Sequence, residues 1–100
     1  MMQYNQSAIQ KIQHYLASQP VKKAYLFGSQ ARGTADADSD IDILVELDHS
    51  KPVDLHFVRM QLELQSLLQA KVDLLSERGI SKYIRPLIEN DKKLIYEKAS

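Results

Sequence analysis

Apolar residues follow two rhythms along this chain. Ala8, Ile9, Ile12 and Leu16 recur at the spacing of a helix, which Pro20 ends. "KKAYLFGS" is a short apolar run with an aromatic pair, and it predicts a strand ending at Gly28. Residues 30–39 are small and polar, giving a loop with one helical turn near Gln30 to Arg32. In "DIDILVEL" the rhythm becomes strict alternation: Ile41, Ile43, Val45 and Leu47 make one apolar face, and Asp40, Asp42, Leu44 and Glu46 the other. "DHSKP" predicts a turn, with Ser50 as a cap and Pro52 in the first turn of the next helix. The helical rhythm then returns, with Val53, Phe57, Met60, Leu64, Leu67 and Leu68 forming a stripe as far as Ala70. "KVDLLS" predicts a third strand, Ile80, Ile84, Leu87 and Ile88 a helix restarted at Pro86, and "KKLIYEK" an edge strand.

The order α, β, loop, β, α, β, α, β predicts an α/β (α+β) fold, a small mixed sheet with helices packed on it. With 100 residues, a single domain spanning 1–100 is expected. The hydrophobic fraction of 44% suffices for a core of ordinary size. Thirteen basic residues balance thirteen acidic ones, so direct nucleic-acid binding and membrane-surface attachment are not expected. There is no cysteine, which excludes disulfides and thiolate metal sites. "MMQYNQSAIQKIQHYL" lacks a basic start followed by an apolar run, and no stretch approaches the length needed to span a bilayer. A cytoplasmic location is expected.

Charge changes the picture in one place. Residues 26–47, "LFGSQARGTADADSDIDILVEL", place five carboxylates between and within two apolar strands, although strands disfavour Asp. Asp40 and Asp42, two apart on a strand, share a face with Cα atoms about 6.5 Å apart. Carboxylates so spaced can converge on hard cations, and oxygen-only ligands select Mg²⁺ or Mn²⁺ over Zn²⁺. A solvated face that guards a sheet edge is the plainer alternative. Upstream, Gly28 lets the backbone approach a ligand, Ser29 offers a hydroxyl and Arg32 a charge-assisted donor, an arrangement suited to phosphate. A tight turn with a surface Arg would produce the same residues. Metal-bridged triphosphate binding needs the cradle and the carboxylates together.

Gly28-Ser29, ten intervening residues, then Asp40-Ile41-Asp42 resembles the signature of the polymerase-β-like nucleotidyltransferases. The string "GSQARGTADADSDIDILV" is similar to that of the minimal nucleotidyltransferases, over essentially the whole chain. The resemblance implies ATP as donor, two divalent cations (Mg²⁺, with Mn²⁺ as an alternative), and Asp40 and Asp42 as metal ligands. It further implies a third catalytic carboxylate on a later strand, for which Asp73 in "KVDLL" is the candidate. Gly28, Ser29 and Arg32 would then hold the nucleotide's phosphates, with Asp36 and Asp38 on the loop rim. Minimal nucleotidyltransferases resemble the antitoxins of toxin–antitoxin pairs whose partner is a helical HEPN-class toxin. The implied activity is transfer of AMP to a toxin tyrosine within a hetero-oligomer. A binding antitoxin without catalysis, and transfer to a small molecule or RNA, are the alternatives.

His14, His49 and His56 have no metal-ligand spacing, and Tyr4, Tyr15, Tyr25, Tyr83 and Tyr96 are assigned to packing, with self-modification of one of them as the alternative.

Overall fold

The computed structural model describes residues 6–28, 40–48 and 54–98. The elements run α1 (Gln6–Leu16), β1 (Val21–Phe27), β2 (Ile41–Leu47), α2 (Asp54–Leu68), β3 (Val72–Ser76), a 3₁₀ turn (Glu77–Gly79), α3 (Arg85–Asp91) and β4 (Lys93–Glu97). The four strands form a mixed sheet in the order β3-β2-β1-β4. β1 pairs antiparallel with both β2 and β4, whereas β2 and β3 are parallel. Parallel neighbours need a crossover. The 15 residues of α2, roughly 22 Å of helix, provide it.

One face of the sheet carries the main core. Ile41, Ile43, Val45 and Leu47 of β2 are buried there with Leu26, Val72 and Leu74, beneath Ile12 and Leu16 of α1 and Met60 and Leu64 of α2. In β1 the core residues Val21 and Ala24 are three apart, which plain alternation would place on opposite faces. A register irregularity between Val21 and Lys23 shifts the pleat and lets both point inward. Side-chain hydrogen bonds fix the helices in place. Gln13 Nε2 donates to the Ile95 carbonyl at 2.7 Å, and the Val72 amide donates to Gln65 Oε1 at 3.2 Å. Tyr15 donates its hydroxyl to Glu63, joining α1 to α2.

On the other face, α3 buries only Ile88. Here the expected apolar stripe is corrected: Ile84 and Leu87 are exposed. The helix proper begins at Arg85, with Pro86 in its first turn, and seven residues give it one inward position. Tyr83, expected to pack, is also exposed, and Leu67 lies at the margin of its helix stripe. Lys92 spans the gap, with its ammonium 4.4 Å from the centre of the Tyr25 ring and 3.1 Å from Glu89 Oε1. No helix among the described residues is long and apolar enough to cross a membrane.

Candidate active site

The register of the sheet decides which polar side chains meet. Across the antiparallel pair Phe27 stands opposite Asp42, and across the parallel pair Asp42 stands opposite Asp73. Adjacent strands lie about 4.8 Å apart, so these two carboxylates, 31 positions apart in sequence, are immediate neighbours. Both lie on the face away from the main core. Asp42 is half-buried and Asp73 exposed.

Gly28 follows β1 directly and turns the chain with φ at +72°, in the left-handed region that glycine enters at no steric cost. A Cβ at that position would overlap Asp42 Oδ2. The carboxylate of β2 therefore rests against bare glycine backbone, and the end of β1 and the acidic start of β2 form one concave corner. Asp73 extends it on the third strand.

Asp40 is placed differently from the sequence expectation. β2 begins at Ile41, so Asp40 stands just before the strand rather than within it. Its Oδ2 lies 3.9 Å from Lys71 Nζ, with the two side chains 39% and 71% exposed. The Ile41 amide donates to the Lys71 carbonyl at 2.9 Å, which fixes the two backbones side by side. Among the described residues no three of His, Cys, Asp and Glu are grouped so as to hold a metal ion, and this includes the trio Asp40, Asp42 and Asp73. The donor set nonetheless suits a hard cation. It is all oxygen, two of its members are neighbours in register, and the third stands in an exposed ion pair with Lys71. Such pairs contribute about 0–1 kcal/mol, which a divalent ion overcomes.

Ser29, Arg32, Asp36 and Asp38 lie outside the described residues, as do Ser50 and Pro52 of the second turn, and His49 and Tyr4. His14 and His56 are exposed. Lys71 was not singled out by sequence reasoning. Its position two residues before Asp73, an even spacing entering a strand, is the signal that places it beside the acidic corner.

Comparison with known proteins bears on this corner. The family described as "Polymerase beta, Nucleotidyltransferase" matches residues 10–100. A Methanocaldococcus jannaschii protein, provisionally named a protein adenylyltransferase, is 40% identical over 81 residues, covering 81% of this chain and 86% of its own. The protein adenylyltransferase MntA of Thermococcus cleftensis is 38% identical over 60 residues, 60% of each chain. A chain from a crystal structure of a toxin–antitoxin with AMP-PNP superposes with a TM-score of 0.75 at 27% identity, covering 90% of this chain and 73% of that one.

Proposed function

The chain belongs to the polymerase-β nucleotidyltransferase family, and on that premise we propose that it transfers AMP from ATP to a tyrosine hydroxyl of a cognate HEPN-class toxin, silencing it in the cytoplasm. The observation that carries this assignment is the alignment of Gly28, Asp42 and Asp73 across three adjacent strands at one corner of the sheet. Like charges placed side by side on a sheet cost stability, and a divalent cation held between them would offset that cost. The relatives named as protein adenylyltransferases support AMP as the group moved and a protein as acceptor. The similar chain seen with AMP-PNP supports an adenosine triphosphate donor and a toxin as partner in a hetero-oligomer.

In this assignment Gly28 and Ser29 cradle the β- and γ-phosphates, because a turn without a Cβ lets backbone N–H groups reach the ligand. Arg32 adds a charge-assisted hydrogen bond. Asp40, Asp42 and Asp73 are the residues that would hold Mg²⁺, or Mn²⁺. The chemistry supplied by a bound ion would be neutralisation of phosphate charge and easier deprotonation of an incoming hydroxyl. Asp73, the most open of the three, accepts the proton of the tyrosine hydroxyl. The phenolate oxygen bonds to the α-phosphorus as the bond from that phosphorus to the bridging oxygen breaks. Pyrophosphate departs with the bonding electrons. Asp73 is exposed in the free chain, which leaves it open to the approach of a hydroxyl on an acceptor protein.

The test uses the chain, Mg²⁺ and the protein encoded beside it, with ATP labelled on either the α- or the γ-phosphorus. The α label is expected to remain on the acceptor while the γ label leaves in pyrophosphate. Retention of the γ label would mean phosphoryl transfer, and retention of neither would reject the assignment. Should Asp42→Asn remove the label but still protect cells, binding alone suffices for neutralisation.

A further inference from the structure

We propose that Lys71 is the stand-in cation of this site, holding the Asp40 carboxylate before a divalent ion arrives and passing to the nucleotide's phosphates afterwards. This inference rests on the nucleotidyl-transfer assignment and adds a positioning residue that the Gly-Ser and Asp-x-Asp motif does not contain.

The placement follows from the sheet. Ile41 stands opposite Val72 and Asp42 opposite Asp73, so one step earlier Asp40 falls beside Lys71. The hydrogen bond from the Ile41 amide to the Lys71 carbonyl holds this step in register. Lys71 and Asp73 are two apart on entering β3, as Asp40 and Asp42 are on entering β2. The ammonium therefore emerges at the same end of the sheet as all three carboxylates. At 3.9 Å from Asp40 Oδ2 it neutralises charge without a tight hydrogen bond.

Such a pair is well suited to exchange. A lysine ammonium on a flexible four-carbon stem is a mobile point charge. A divalent ion carries twice that charge and bonds the carboxylate oxygen directly, so it displaces the ammonium from Asp40. Lys71, anchored by its backbone and 71% exposed, then swings toward the negative charge that the nucleotide brings to the same corner. A single residue thus lowers the self-repulsion of the metal-free site and later helps bind the phosphates.

Exchange of partners predicts effects of opposite sign, which a merely structural ion pair would not give. In the nucleotide-free chain, Lys71→Met is expected to tighten Mn²⁺ binding about 1.4- to 5-fold, the range set by the worth of an exposed pair. The same change made in an Asp40→Asn background is expected to alter Mn²⁺ affinity little. At saturating metal, Lys71→Met is expected to raise KM for ATP about tenfold with a smaller change in kcat, and Lys71→Arg to restore it. Unchanged Mn²⁺ affinity and KM would overturn the role of Lys71 while leaving the transfer assignment standing. So would an equal gain in Mn²⁺ affinity in the Asp40→Asn background, which would mark a general surface-charge effect. A wild-type chain that binds neither Mn²⁺ nor ATP would overturn both.

Discussion

Asp42 and Asp73 stand side by side across a parallel ladder, where like charges are destabilising by a few tenths of a kcal/mol or more. Their removal therefore separates stability from chemistry. Asp73→Asn is expected to leave folding free energy unchanged or raise it by about 0.5 kcal/mol in urea titration, because the side chain is exposed. The same variant is expected to lose about 10²–10⁴-fold in transfer rate, the worth of a positioned proton acceptor. Gly28 behaves in the opposite way. At φ +72° an alanine costs about 1–2 kcal/mol, and its methyl group would displace the Asp42 carboxylate. Gly28→Ala is expected to lower both stability and transfer rate, the latter about a hundredfold if Asp42 moves by as much as 1 Å. Neither effect is visible in the motif alone. The spacing from Gly28 to Asp42 is legible in sequence, but the contact between backbone and carboxylate is created by antiparallel pairing.

The elements themselves were largely legible, for reasons of pattern. Alternation in Ile41–Leu47 and the Met60–Leu64 stripe could be satisfied only by a strand and a helix facing a common core. The short α3 was less so: a seven-residue helix beginning at Arg85 turns one apolar residue inward, and Ile84 and Leu87 face water despite their spacing. Two local features at the ends of elements make predictions. Gln69 follows α2 with φ at +51°, the left-handed position that usually ends a helix with glycine. Gln69→Gly is expected to stabilise the fold by about 0.5–1 kcal/mol in thermal or urea unfolding. Tyr15, between α1 and α2, has its phenol pushed up from an ordinary value of 10, first by burial and then by its hydrogen bond to Glu63 and the charge of that carboxylate, with Arg59 opposing. The folded state holds this proton more tightly than the unfolded chain. Its stabilising contribution is therefore complete below pH 10 and declines as pH rises above that value. Tyr15→Phe is expected to flatten the alkaline loss of stability in part, since burial also raises Tyr96.

At the scale of the whole molecule, topology assembles what the sequence disperses. Asp42 and Asp73 meet because α2 carries the chain from β2 to a parallel β3, and Gly28 joins them because β1 pairs with the other edge of β2. The order of elements was readable from hydrophobic rhythm, whereas strand neighbours and register were not, since many pairings bury the same apolar residues. Asp73 was reached through a family resemblance, and its place opposite Asp42 is a consequence of parallel pairing. The central claim is that these two carboxylates act as one site in nucleotidyl transfer. The most direct measurement is the rate of AMP transfer by the wild-type chain, Asp42→Asn, Asp73→Asn and the double variant, under one set of ATP, Mg²⁺ and acceptor concentrations. Residues that work as a unit lose function non-additively, so each single variant is expected to fall nearly as far as the double. A near-wild-type rate for Asp73→Asn, or losses that simply multiply in the double variant, would contradict it.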